Sequence, residues 1–200
     1  MSVKDLPYLV DSMTLNDLDA VMEIETVVHS APWPASAYRH ELEQNNLAHY
    51  IVVMPAPQQA QVPAGIRGRL RAWLHRPRRG RPILGYGGFW LMVGEAHIST
   101  IAVDPEWRGM GLGELLLLDL IERALDLEAE MVTLEVRISN VAAQNLYLKY
   151  QFENVGRRKR YYRDNNEDAY IMTASEVLSA DYRVFLDEQW TRLQERFSQV

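Results

Sequence analysis

The sequence contains no cysteine. That absence excludes disulfides, thiolate metal sites and a cysteine nucleophile together. No apolar run approaches the ~18 residues needed to span a bilayer. The first residues, through Met13, carry acids and lack the apolar segment of a secretory leader. A cytoplasmic protein without membrane contact is therefore expected. The five histidines are scattered without ligand spacing, so no metal is expected. Acids are missing from one long stretch: none occurs between Gln44 and Gly94. Seven arginines fall inside it: Arg67, Arg69, Arg71, Arg76, Arg78, Arg79 and Arg81. The net charge is −6, and removing these seven leaves the remainder at −13. A general nucleic-acid binder is not built this way. A local basic element on an acidic body is.

With 200 residues, 48% of them hydrophobic and 24% charged, the chain is long enough to bury a sizeable core. It fits one large domain, or one domain with an appendage. Thr14 and Asp17 have capping-box spacing and predict a helix with an apolar stripe of Leu15, Leu18, Val21 and Met22. Pro32 and Pro34 end that region, and Ser36 is placed to cap a second helix to about Glu43. Ala48–Met54 is rich in β-branched residues and predicts a strand. From Pro55 to Pro82, five prolines and the arginines interrupt any period, which predicts an inserted loop with a short helix near Leu70–Leu74.

Beyond the insert, Ile83–Met92 and Glu95–Val103 predict a hairpin turning at Val93 and Gly94. An apolar helix over Glu114–Ala129 follows, then a strand over Met131–Val136. Ser139 or Asn140 can cap a helix to about Tyr150. Phe152–Arg160 and Asp168–Thr173 predict two closing strands around a polar turn, and Ser175–Val200 an amphipathic terminal helix. The order α-α-β, β-β-α-β-α-β-β predicts an α/β fold with a mixed, mostly antiparallel sheet flanked by helices.

Arg108-Gly-Met-Gly-Leu-Gly113 lies directly between a predicted strand and a predicted helix. Glycines let backbone N–H groups crowd toward a ligand, and the helix start adds partial positive charge. The two together form an anion cradle suited to a pyrophosphate. A P-loop would need Lys-Ser/Thr after the last glycine, where Glu114 stands. A dinucleotide-binding turn would need its third glycine elsewhere and a βαβ setting.

The run Ile101-Ala-Val-Asp-Pro-Glu-Trp-Arg-Gly-Met-Gly-Leu-Gly113 resembles the acetyl-coenzyme A signature of the GNAT acetyltransferases, Arg/Gln-x-x-Gly-x-Gly/Ala. Leu134–Asn140 and Asn145–Phe152 resemble the later strand and helix of that family. His29-x-x-Pro-Trp33, Glu135-Val-Arg-x-Ser-Asn140, Arg160-Tyr-Tyr162 and Glu167-Asp-Ala-x-Ile-Met172 resemble its RimI branch, which acetylates the N-terminal alanine of a small-subunit ribosomal protein. The resemblance covers residues 10–54 and 83–174. It implies the GNAT fold over 1–174, with the basic insert at 55–82, and leaves 175–200 as a helical extension.

The resemblance implies a set of roles. The backbone of Ile101, Ala102 and Val103 would pair with the pantetheine arm at a splayed sheet edge. The stretch Gly109, Met110, Gly111, Leu112, Gly113 and Glu114 would hold the pyrophosphate, with Arg108 adding charge. Asn140 would contact the cofactor, although its local role is a helix cap. Glu135, an acid among apolar strand neighbours, would be the general base; a solvent-facing glutamate or an ion pair with Arg137 is the plain alternative. Tyr147 would point to the thioester sulfur as general acid. A tyrosine of pKa ~10 donating to a thiolate of ~8.5 is uphill by about 2 kcal/mol, so hydrogen-bond stabilisation of the sulfur is the alternative to full transfer. The chemistry implied is direct attack of the amine on the thioester carbonyl, with backbone N–H near Val103 stabilising the oxyanion.

His29, Trp33, Tyr161 and Tyr162 are candidates for the acceptor groove, with Trp33 also suited to a wedge between helices. One residue departs from the family pattern: Gln151 stands where a glycine usually forms a left-handed turn. A side chain there costs about 1 kcal/mol, unless the turn differs. Acetyl-CoA is the implied co-substrate and a protein N-terminus, ribosomal in origin, the implied partner. Another amine acceptor is the first alternative. An RNA- or ribosome-associated module using the arginines of 67–81 is the second.

Overall fold

Alternate residues of the strand around Ile51 face two different apolar layers, and that alternation organises the whole chain. The computed structural model describes residues 6–56 and 81–198. Seven strands form one sheet: β1 (Tyr8–Ser12), β2 (Ala48–Pro55), β3 (Gly85–Met92), β4 (Glu95–Val103), β5 (Met131–Arg137), β6 (Glu153–Tyr162) and β7 (Glu167–Ala174). Their spatial order is β1-β2-β3-β4-β5-β7-β6, and only β4 and β5 pair in parallel. The mixed, mostly antiparallel sheet expected from the sequence is what forms.

Among the described residues five α-helices flank it: α1 (Leu18–Val28), α2 (Ala35–Gln44), α3 (Leu112–Asp126), α4 (Val141–Lys149) and α5 (Ala180–Ser198). Tyr50, Val52, Met54 and Tyr86 point to one face and pack with Val21, Ile24 and Tyr38 of α1 and α2. Ile51, Val53, Phe89 and Ile98 point to the other and pack with α3 and α5. Leu115, Leu116, Leu117 and Leu118 are all buried, as the unbroken apolar run required.

Several boundaries differ from expectation. β1 was not expected. It is a five-residue edge strand with a single fully buried residue, Tyr8, so its period-two signal is weak. Thr14 and Asp17 do interact as predicted, through a carboxylate that accepts from the Thr14 N–H and hydroxyl at 2.8 Å. They open a single 3-10 turn before α1. Ser36 does not cap α2. The helix starts at Ala35 after Pro34, placing Ser36 inside its first turn. α3 begins two residues before Glu114, because Gly111 at φ 83 already turns the chain into the helix. α5 begins at Ala180 rather than Ser175, with the Ser179 hydroxyl accepting from the Tyr182 N–H. Gln151 adopts φ 62, so the left-handed turn forms despite its side chain.

The expected helix near Leu70–Leu74 and Arg67, Arg69, Arg71, Arg76, Arg78 and Arg79 lie outside the described residues. Arg81 is described, and it is structural. Its guanidinium grips the buried Asp17 carboxylate at 2.8 and 2.5 Å and also reaches Asp11 and the Ser12 carbonyl. That fork is spent on the protein's own acids, so Arg81 does not support an RNA contact.

Candidate active site

The site begins where a ladder stops. Parallel pairing of β4 with β5 runs from Glu95–Met131 to Ile98–Leu134 and goes no further. At that point β4 bulges: Gly88 opposes Thr100 and Phe89 opposes Ile98, leaving Ser99 as the extra residue. A bulge bends its strand and increases local twist, which turns the rest of β4 away from β5. Ile101, Ala102 and Val103 then pair with β3 alone. Their other edge is open to an extended, amide-bearing ligand that adds like a strand.

At the end of β4 a 3-10 turn (Pro105–Trp107) leads into the glycine turn. Gly109 and Gly111 both have positive φ, 77° and 83°, a conformation that places successive N–H groups in the concavity at the start of α3. Leu112 is buried and Met110 packs against the core, so these two can offer a ligand only backbone. The Arg108 Nε lies 3.4 Å from the Val103 carbonyl. The Glu114 carboxylate is held by Lys149, by Tyr150 Oη at 2.8 Å and by Arg196 Nη2 at 2.6 Å. Only its N–H is available to an anion. The residues fit a pyrophosphate through a backbone cradle at a helix start.

Glu135 sits one residue past the last position at which β5 pairs with β4, with a side chain only 5% exposed. Both oxygens have partners. His97 Nε2 lies 3.0 Å from Oε2, and Arg158 Nε 3.0 Å from Oε1. Burial works to raise the carboxyl, but the His97 hydrogen bond and the charges of His97 and Arg158 outweigh it and hold Glu135 below the usual range. The same hydrogen bond raises His97, against burial and Arg158 and with help from the Glu135 and Glu95 charges. The ion pair with Arg137 considered from sequence is not formed. Arg137 instead pairs with Asp164 at 2.9 Å and Glu167 at 3.1 Å.

Tyr162 completes this wall. Its hydroxyl lies 3.5 Å from the Glu135 carbonyl, its ring packs under the Arg137 guanidinium at 3.8 Å, and burial pushes it up to about 12. Tyr161 stands edge-on to it and is raised by burial and then by the Glu135 charge. Tyr147 packs against Phe152, and burial first, then Tyr162, push its hydroxyl well above the ordinary value. This shift makes full proton transfer to the sulfur more uphill and favours the hydrogen-bond alternative. Asn140 caps α4 through Oδ1, which accepts from the Ala143 N–H at 3.2 Å. The local capping role is thus formed, and Nδ2 is left to offer a ligand. Ser139 is no cap; its N–H donates to Glu167 at 2.7 Å.

His29 and Trp33 belong to the α1–α2 loop, and one buried acid organises it. Glu25 accepts from the Trp33 N–H at 2.7 Å and from the hydroxyls of Tyr38 and Tyr86. His29 Nε2 lies 3.7 Å from the same carboxylate. Trp33 is a wedge, tilted on Tyr38 and stacked on Trp90, which stacks in turn on His97. The loop reaches the β6–β7 turn through Ser30, whose hydroxyl donates to Asp164. Ser30, Asp164 and Arg137 thus tie the α1–α2 loop to the β6–β7 turn, with Arg137 two residues along β5 from Glu135. Sequence reasoning missed His97, Arg158 and Glu25. His97 and Glu135 are far apart in the chain, and only the β4–β5 register brings them to one face. Among the described residues no group of three His, Asp or Glu could hold a metal ion.

Comparison with known proteins agrees with this geometry. The acetyltransferase (GNAT) family model matches residues 18–152. A putative [ribosomal protein bS18]-alanine N-acetyltransferase of Bacillus subtilis is 37% identical over 163 residues, covering 82% of this chain and 92% of that one. The N-alpha-acetyltransferase RimI of Mycobacterium tuberculosis is 31% identical over 178 residues, covering 86% and 95%. The crystal structure of the ribosomal-protein-S18-alanine N-acetyltransferase from Escherichia coli superposes with a TM-score of 0.65 at 26% identity, covering 84% and 94%. Together with the splayed β4–β5 edge and the glycine turn, these matches show that the chain belongs to the GNAT family, in its RimI-like branch, as an acetyl-CoA-dependent N-acetyltransferase.

Proposed function

We propose that this enzyme acetylates the α-amine of a protein N-terminus, with the alanine of ribosomal protein bS18 as its acceptor. Relatives from Bacillus subtilis and Escherichia coli carry that activity in their names. The observation that supports the reading in this chain is the Glu135–His97 pair, two residues along β5 from the Arg137 that joins the α1–α2 loop to the β6–β7 turn. An α-amine has a pKa near 7.7–8.0, so roughly a tenth of it is neutral at pH 7, against far less of a lysine. A modest base therefore suffices.

Bound acetyl-CoA would supply the acetyl group as an activated thioester, held by the backbone of Ile101, Ala102 and Val103 and by the N–H groups of Gly109–Glu114. The chain's own residues do the rest. Arg158, 53% exposed, is the partner of Glu135 that yields Oε1 to the incoming ammonium group or to a water beside it. Glu135 and His97 share the proton that the amine releases, titrating as one unit. Tyr162 and Tyr161 flank the amine. Tyr147, too weak an acid to transfer its proton, hydrogen-bonds the departing sulfur.

The test is acetyl-CoA turnover against short peptides that differ only at residue one, with Glu135→Gln run alongside. Fast transfer to the alanine-starting bS18 peptide, lost in the variant, supports the reading. Transfer to lysine side chains or small amines alone would overturn the acceptor assignment while leaving the family intact.

A further inference from the structure

The C-terminal helix lies outside the sequence resemblance, yet it ends on the glycine turn. α5 runs antiparallel to α3: Trp190 Nε1 donates to Glu122, and one and a half turns later Arg196 meets Glu114 at the start of α3. The helix is pinned along its length. Tyr182 donates to the Tyr150 carbonyl at 3.1 Å, Leu186 and Leu193 are buried, and the Phe197 ring stands edge-on to Tyr8 at 5.3 Å. A side chain placed on Gly111 would meet Arg196 Nη2 at 2.7 Å, so the guanidinium lies directly over the turn.

The charges there are uneven in a telling way. An acid in the first turn of α3 would repel a diphosphate, yet Glu114 stands there. It faces two cations, Lys149 and Arg196, and the Tyr150 hydroxyl. Two positive charges on one carboxylate leave the cluster at +1. Burial opposes ionisation of Glu114, but these partners hold it charged. Arg196 is 46% exposed, and a guanidinium has five donors in a fork that matches phosphate oxygens. Glu114 thus holds Arg196 in place before a ligand arrives, which lowers the cost of ordering it on binding.

We propose that Arg196 is a cofactor-binding residue, a guanidinium delivered by the C-terminal helix to the phosphate groups of coenzyme A. The proposal rests on the acetyl-CoA site assigned to the Gly109–Glu114 turn above. The competing account is that the Arg196–Glu114 pair only fastens α5 to α3.

The two accounts separate by the phosphate content of the ligand. Calorimetric affinities for coenzyme A and 3′-dephospho-coenzyme A, and kcat/KM with S-acetyl-pantetheine as donor, would be compared for the full chain, Arg196→Ala and Arg196→Lys. The expected result is that Arg196→Ala weakens coenzyme A about tenfold or more, with acetyl-CoA KM rising and kcat held. Arg196→Lys recovers part of the affinity, and pantetheine-donor kinetics do not change. A loss that persists with 3′-dephospho-coenzyme A places the contact on the diphosphate; one that vanishes places it on the 3′-phosphate. Unchanged coenzyme A affinity in Arg196→Ala overturns the proposal. So does an equal loss with acetyl-CoA and S-acetyl-pantetheine alongside a lower melting temperature, the signature of mere fastening. A wild-type chain that binds no coenzyme A would instead sink the assignment of the cofactor site.

Discussion

His97 Nε2 stands 3.0 Å from Glu135 Oε2, joining β4 to β5 at the point where their parallel ladder ends. The contact couples the two titrating groups. The basic form of the pair is a neutral imidazole beside a carboxylate. His97 is raised above its ordinary value, so kcat/KM is expected to climb with pH through an inflection above about 6.5. Glu135→Gln should lower kcat/KM roughly 10²-fold or more, and His97→Asn should remove the inflection. An inflection that persists in His97→Asn would assign it elsewhere.

The same pair sets a stability window. A raised histidine contributes stability that is full below its unfolded pKa, about 6.5, and lost as pH rises through its folded value. A lowered carboxylate contributes stability that is present above about 4.5 and lost as pH falls through its folded value. The two contributions overlap between those unfolded values. Melting temperatures should show Glu135→Gln destabilised most near pH 5.5 and least near pH 9.

Tyr147 is partly buried and its hydroxyl is raised, so in our proposal it donates a hydrogen bond rather than a proton. Tyr147→Phe should lower kcat about 10²-fold, the usual cost of one lost donor to developing charge. Wild-type rate profiles should show no falling limb below the ordinary tyrosine value of about 10. A limb near neutral pH that disappears in the variant would restore Tyr147 as a proton donor.

Glu25 holds the α1–α2 loop through Trp33, Tyr38 and Tyr86, with no contact to the cofactor cleft required. Glu25→Gln presents an amide to three donors and should cost about 2–3 kcal/mol. Urea unfolding measures that loss. Peptide KM should rise while coenzyme A affinity stays constant, if the loop borders the acceptor site as the His29 and Trp33 assignment expects.

Gln151 occupies a left-handed turn at φ 62 after α4. Gln151→Gly should raise stability by up to about 1 kcal/mol by relieving that strain, offset in part by the greater freedom of glycine when unfolded. Chemical denaturation decides it, and a destabilised variant would show that the side chain has a compensating role.

Much of this enzyme was legible in its sequence because the signals were local. The apolar run of Leu115–Leu118 required a buried helix. Val93 and Gly94 marked the hairpin, and both adopt positive φ there. The glycine turn forms between strand and helix where its residues placed it, since backbone geometry there depends on adjacent residues alone. β1 escaped because an edge strand with one fully buried residue has almost no period.

The tertiary structure decided what chain-distant residues do to one another. The β4–β5 register put His97 against Glu135, and Arg158 rather than Arg137 became the cation beside that acid. The Arg81 fork went to Asp17 and Asp11, a use invisible in an arginine-rich stretch. The packing of α5 along α3 carried Arg196 to the turn that binds the cofactor's phosphates in our proposal, from a tail that looked like an appendage. A turn or a buried helix is fixed by its neighbours in sequence. The charge state and partner of an acid depend on which distant groups the fold brings within a few ångströms, because electrostatic coupling at such range outweighs anything local sequence can encode.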